Sequence, residues 1–240
     1  MKISVIVPAY NEEKLLGASL TEIKTAAAAF AARGWEFELV VCDNNSTDRT
    51  ADIARAAGAQ VIFEPVNQIA RARNVGASIA TGDWFIFVDA DSHPSAELFA
   101  DVAERIVGGR CLAGGSTVRL DTSQRLACAA AALWNGISRL GGWLAGAFIF
   151  VEAAAFKSVG GFSHELFAAE ELDLSRRLKI FAKPQGKKVV VLHRHPLKTS
   201  ARKMHLYTVG DHLKLLWRVA FNRRILADRD SCTLWYDGRR

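Results

Sequence analysis

The first 110 residues alternate four times between a short β-branched or aromatic run and a segment with helical periodicity. Ile3–Val7, Phe37–Cys42, Val61–Phe63 and Trp84–Val88 are the runs, and Glu12–Arg33, Ser46–Ala57, Ile69–Ala80 and Ser95–Val107 are the helical segments. Gly34 follows the first helix as a C-cap, Ser46-Thr47-Asp48 caps the second, Thr81-Gly82 stops the third and Pro94 precedes the fourth. Strand, helix and strand in this rhythm leave few topologies open: a mostly parallel sheet with right-handed crossovers and helices on its faces. Trp84–Val88 is apolar throughout, as a strand buried on both faces requires. After residue 110 the rhythm loosens into a strand near Thr117–Leu120, an apolar helical stretch, and strands at Ala147–Val151 and Val189–Leu192. The fold class expected is α/β, one domain with a mostly parallel central sheet flanked by helices and a basic helical C-terminal tail.

Open parallel sheets bind ligands at the carboxyl ends of their strands. Three strand ends here carry polar clusters: Pro8-Ala9-Tyr10-Asn11-Glu12, Asp43-Asn44-Asn45-Ser46 and Asp89-Ala90-Asp91. The last drives a buried strand into two carboxylates one residue apart, where like charges repel. A cation between them and an anionic ligand resolves the conflict. No G-x-G-x-x-G follows the first strand and no G-x-x-x-x-G-K-[ST] occurs, so a diphosphate needs a counter-charge other than a glycine cradle. Hard carboxylate oxygens at Asp89 and Asp91 suit Mg²⁺ or Mn²⁺.

Charge is uneven. The first 175 residues carry 14 Lys/Arg against 21 Asp/Glu, and the remaining 65 carry 17 against 4. A basic C-terminal quarter on an acidic body suggests an anionic partner (phosphate, nucleic acid or a membrane surface), or else a solvated basic face. Four cysteines without paired spacing suit free thiols in a reducing cytoplasm. The start, MKISVIVPAYNEE, does not read as a signal peptide, and Leu126–Val151 is broken by Asn135, Ser138 and Arg139 before it reaches a membrane-spanning length.

Five blocks in order, IVPAYNEE, VVCDNNSTDRT, ARARNVGASIATGDWFIFVDADS, GAFIFVEAAAFKSVGGFSHELFAAEELDLSRRL and LHRH, together resemble a family 2 glycosyltransferase of the GT-A fold, over about residues 3–195. The resemblance implies inverting, metal-dependent transfer of a sugar from a nucleotide-diphosphate sugar, with no nucleic-acid partner. It divides the chain into a GT-A domain over 1–203, with 1–110 the nucleotide-binding half and 111–203 the acceptor and catalytic half, followed by the basic extension 204–240. Residue by residue, Pro8, Ala9, Tyr10, Glu12, Asp43 and Asn45 would hold base and ribose. Arg73 would approach the diphosphate or brace the D-x-D loop. Asp89 and Ala90 would line the nucleotide sugar, Asp91 would ligate the metal, and His193 would complete its shell. Arg202, with Lys203, would close over the diphosphate.

Within Glu170-Glu171-Leu172-Asp173 the resemblance places the general base, Glu171, with Glu170 and Asp173 as its neighbours in the catalytic block. The family usually writes this pair Glu-Asp, and usually has consecutive acids where this chain has Asp43-Asn44-Asn45. Each residue keeps a structural alternative: Asp43 as a turn cap, Arg73 as a surface helix residue, His193 as a packed histidine, the three acids as a helix start favoured by the dipole. The Q-x-x-R-W motif of processive synthases is missing, so the transfer expected is single. The acceptor is a glycan, a lipid or a lipid-linked hydroxyl, with Trp134 and Trp143 as candidate walls. Two rival classes are a nucleotidyltransferase and a catalytically silent module that binds membranes through its tail. Tyr207–Phe221, amphipathic and basic, either lies on the inner face of a membrane or covers the sheet.

Overall fold

The computed structural model describes residues 1–144, 146–202 and 228. The expected Tyr207–Phe221 helix, Lys203 and Cys232 lie outside them. The remaining cysteines, Cys42, Cys111 and Cys128, are free thiols. Among the described residues no helix is long and apolar enough to cross a membrane.

One sheet organises the fold. β1 (Lys2–Ala9), β2 (Glu36–Asp43), β3 (Gln60–Phe63) and β4 (Trp84–Val88) form its first half; β5 (Ser92–His93), β6 (Cys111–Leu120), β7 (Phe148–Glu152) and β8 (Lys188–Thr199) form its second. The order is β3-β2-β1-β4-β7-β6-β8-β5. Four of the seven pairings are parallel, and the sheet is mixed because β7 runs antiparallel to both β4 and β6, and β5 antiparallel to β8. The helices are α1 (Leu16–Ala26), α2 (Ala28–Ala31), α3 (Thr50–Ala56), α4 (Ile69–Ile79), α5 (Ala96–Val107), α6 (Arg125–Gly141), α7 (Ala153–Ser158) and α8 (Glu170–Ala182).

Strand periodicity sorts the core into two layers. Trp84, Ile86 and Val88 of β4, with Phe148 and Phe150 of β7, face one layer. Phe85 and Phe87, with Ile149 and Val151, face the other, where Phe87 meets Phe162 edge-on at 5.1 Å. Two glycines allow close approaches. A Cβ on Gly76 of α4 would lie 2.6 Å from the Ile6 methyl, so glycine lets α4 rest on β1. On Gly114 a Cβ would enter the Phe150 ring and stand 2.7 Å from the Val190 carbonyl oxygen.

Three segments differ from expectation. The helix expected from Glu12 starts at Leu16, because Asn11 takes a left-handed φ of 51° and the chain turns first. In that turn the Glu12 N–H donates to Thr50 Oγ1 (2.8 Å) and the Glu13 N–H to Asp48 (3.1 Å), which fixes the loop after β1 against the loop after β2. α3 begins at Thr50, and Asp48 accepts the Thr50 N–H at 2.9 Å. β8 runs on to Thr199, but its pairing with β6 jumps from Leu192 opposite Ser116 to Leu197 opposite Val118. Residues 193–196 therefore bulge out of register.

Candidate active site

The three polar strand ends do converge at one edge. Ala9 pairs with Asp43, so the ends of β1 and β2 lie side by side. Pro8 and Ala9 are buried within β1 and Tyr10 is half-buried beyond it. Asp43 is buried and its Oδ1 accepts the Ser46 N–H at 3.1 Å, so the turn-cap role and a place at the edge coexist. Asn45 is exposed, left-handed at φ 65°, and donates to Asn67 Oδ1. Asn44 is the residue sequence reasoning passed over: its amide donates to the Glu64 and Val66 carbonyls and accepts the Gln68 N–H, tying this loop to the start of α4.

Arg73 stands at the centre. Its side chain is 1% exposed, so it is a buried cation and no surface residue. Nη1 donates to Glu170 at 2.7 Å, and Nη2 donates to Asp89 at 2.9 Å and to the Gly146 carbonyl at 2.8 Å. Its guanidinium carbon Cζ lies 5.1 Å from the centroid of the Phe162 ring, and Nε is buried without a hydrogen-bond partner. Burial opposes a charge here, but Asp89, Glu170 and Glu171 outweigh it and hold the guanidinium protonated above its usual range. One side chain thus links the D-x-D loop, α4 and the start of α8.

Ala169, left-handed at φ 61°, turns the chain into α8 so that its first two residues enter the site. Glu170 is buried on Arg73. Glu171 is partly buried; desolvation and then the neighbouring Glu170 charge push its carboxyl from 4.5 up to about 8, with Arg73 pulling the other way. Gly146 matters for the same reason: a Cβ there would stand 3.3 Å from Arg73 Nη2 and 3.5 Å from the Glu171 carboxyl carbon. Nothing in a single glycine of the sequence announces this role.

A second cluster lies beyond the D-x-D loop. Arg202 forks onto Glu12 (3.1 and 2.7 Å) and comes within 3.6 Å of Asp91. The Ser200 N–H donates to the Asp91 carbonyl, and β5 pairs with the end of β8, so residue 202 is carried to the edge where Glu12 and Asp91 lie.

Two further expected site residues have described neighbours outside these two clusters. His193 sits exposed in the β8 bulge, in a small depression with Asp101, Glu104 and Arg105 of α5, while Asp91 lies beside Ser200 and Arg202. The described surroundings of the two differ, α5 for the histidine and the end of β8 for the aspartate. Asp173 is engaged by Arg177 four residues on, at 2.7 Å, and Arg177 also donates to the Val159 carbonyl; that carboxylate braces α8.

Asp89 is committed to Arg73, and among the described residues no three acidic, histidine or cysteine side chains converge as a metal cage. The donor set that remains, Asp91 with Asp89 behind it, fits Mg²⁺ or Mn²⁺ in the mode where one or two carboxylates act together with the substrate's own phosphate oxygens.

Comparison with known proteins finds relatives and structural neighbours. The family model described as Glycosyl transferase family 2 matches residues 4–125. A dolichol-phosphate mannosyltransferase of Pyrococcus furiosus is 34% identical over 124 residues, 48% of this chain and 33% of its own length. The poly(ribitol-phosphate) beta-N-acetylglucosaminyltransferase TarS of Staphylococcus aureus is 36% identical over 110 residues, 43% of this chain and 18% of its own. The chain thus spans a third or less of either relative. Among solved structures, S. aureus TarS 1–349 in complex with UDP-GlcNAc superposes with a TM-score of 0.65 at 24% identity, covering 98% of this chain and 69% of that one. The mannosyltransferase PcManGT of Pyrobaculum calidifontis, in complex with GDP-Man and Mn2+, gives 0.67 at 18%, covering 94% and 62%. At these identities the structural likeness establishes the fold.

Proposed function

Because the chain belongs to glycosyl transferase family 2, we propose that it moves a single sugar, with inversion, from a nucleotide-diphosphate sugar to an acceptor hydroxyl. The observation that carries the reading is Arg73, which ties Asp89 on the donor side to the Glu170–Glu171 pair. The structural relatives crystallised with UDP-GlcNAc and with GDP-Man make those two donors the first to test. A nucleotidyltransferase would need a glycine-rich basic loop after β1, where this chain has PAYNEE.

In this mechanism Asp43 and Asn45, with Pro8, Ala9, Tyr10 and Glu12, hold base and ribose; a buried Asp43 oxygen accepts a base N–H. Asp89 and Ala90 line the donor, and Asp89 takes its orientation from Arg73. Mg²⁺ or Mn²⁺ held at Asp91 would supply positive charge to the diphosphate. Arg202, already beside Asp91, moves its fork from Glu12 to the diphosphate oxygens and so offsets charge on the leaving group. Glu171 takes the proton of the attacking hydroxyl on the face opposite the diphosphate. A carboxylate that binds its proton near pH 8 is a better base than an ordinary one, and is matched to operation near neutrality. The negative charge of Glu170, only partly offset by Arg73, helps burial keep that affinity high.

A thermal-shift panel of nucleotide-diphosphate sugars with Mn²⁺, followed by single-turnover transfer to water or a hydroxyl acceptor, tests the reading. Stabilisation by one donor and its metal-dependent turnover are expected. No stabilisation by any donor, or turnover with retained anomeric configuration, would overturn it.

A further inference from the structure

Helix α6 presents an apolar stripe outward. Of its 17 residues only Ala127 and Ser138 are buried. Leu126, Leu133, Ile137 and Leu140 are 65%, 68%, 48% and 93% exposed. Successive spacings of 7, 4 and 3 residues put all four on one side of a helix. The opposite side is pinned by polar contacts: Asn135 accepts the Val118 N–H and donates to the Val118 carbonyl, both at 2.9 Å, and Ser138 Oγ donates to the Trp143 carbonyl. Rotation of the helix to bury the stripe would break both bonds to Val118.

The charges on α6 decide what covers it. They are Arg125 and Arg139, both exposed, and Arg119 adds a third at the end of β6; the helix carries no acid. Arg125 at the first helical position opposes the helix dipole. A second copy of the chain is a poor occupant. Four side chains and their flanking alanines offer roughly 400–500 Å² per chain, about half of the ~800 Å² each partner gives to a stable dimer. The chain's own residues 203–240 are also poorly matched, with eight Lys/Arg against four Asp/Glu facing a helix that is itself basic.

An anionic bilayer satisfies both features. The leucines enter the boundary between headgroups and acyl chains, and the arginines reach lipid phosphates. We propose that α6 is the surface by which this protein docks on anionic membranes. The segment after α6 runs directly to Gly146, whose carbonyl accepts from Arg73, so docking by this helix also fixes the orientation of the catalytic carboxylates to the bilayer.

Co-sedimentation of the full chain with phosphatidylcholine vesicles, with and without phosphatidylglycerol, tests the proposal without donor or acceptor. Its outcome is therefore independent of the transfer reading. Binding is expected only with the anionic lipid. Leu133→Glu/Leu140→Glu, at exposed positions and with an unchanged melting curve, should weaken it at least about tenfold. Arg125→Ala/Arg139→Ala should weaken it by about fivefold per arginine, less at high salt. No binding by the wild type overturns the proposal. So does wild-type binding by the leucine variant, which would place the anchor elsewhere. A dimer that this variant dissociates, with vesicle binding unchanged, would assign the stripe to a second copy.

Discussion

Replacing Glu171 by glutamine separates the energy stored in the site from the chemistry it does. The wild-type carboxyl binds its proton at about 8 instead of 4.5, because burial and Glu170 disfavour its charge. The folded chain therefore keeps a proton that the unfolded chain releases across that window. With a raised carboxyl, stability is highest below pH 4.5 and falls as pH rises towards 8, by up to about 1.4 kcal/mol per pH unit. The ceiling is roughly 5 kcal/mol; with Glu170 sharing the repulsion and Arg73 offsetting it, a fall of about 2–3 kcal/mol is expected. Glutamine has the same shape and cannot ionise. Urea melts at pH 5 and pH 8.5 should show the variant flat over this contribution, and more stable than the wild type at the higher pH. Transfer should drop about 10²–10⁴-fold, roughly 3–5 kcal/mol of barrier, with donor affinity retained. Wild-type transfer should itself rise with pH through about 8. Parallel pH–stability curves for the two proteins would refute the buried-acid argument, and transfer within a few-fold of wild type would refute the base.

Arg73→Met leaves the carboxylates of Asp89 and Glu170 without their buried partner, and should cost about 3–5 kcal/mol in denaturant melts. Arg73→Lys keeps the charge but loses the fork, and should recover part of that stability while transfer stays impaired; equal melts for all three proteins would remove Arg73 from the centre of the site. Asp91→Asn should remove the Mn²⁺ dependence of donor binding in titration calorimetry without lowering the melting temperature, and unchanged dependence would show that the ion sits elsewhere. Gly114→Ala should destabilise by several kcal/mol through collision with Phe150 and the Val190 carbonyl, and a loss below about 1 kcal/mol would mean the β6–β7 face is looser than described.

Much of the donor half was legible because its signals are local. Val5 to Val7 and Trp84 to Val88 are uninterrupted apolar runs, and their strands appear where expected. The late start of α1 was not legible, since the Thr50 and Asp48 side chains that hold the turn lie over thirty residues away. Nor was the antiparallel sense of β7: Phe148–Val151 is as apolar as a parallel strand, and direction depends on what the chain does between. The surroundings of His193 were not legible for a related reason. Only the family resemblance of LHRH pointed it to a site, and the bulge that turns it towards α5 comes from register against β6, which no local pattern carries. Asp173 was the opposite case, since an arginine four residues on the same helix is visible in the sequence and states its partner. Arg73 could be read as an important residue from its motif, but its burial depends on Glu170 and Gly146, both more than seventy positions away.

The Glu12–Arg202 pair joins positions 190 residues apart. Contacts of such separation close the largest loops in a chain, and such loops close slowly because little earlier structure defrays their entropy. During synthesis the edge formed by Pro8–Glu12 and Asp91 cannot be completed until residue 202 has left the ribosome, long after β1 to β4 are available to pair. On the proposed function, competence to hold a donor waits for this contact, so donor binding in pulse-labelled nascent chains would report closure of the Glu12–Arg202 pair and not the earlier pairing of β1 to β4.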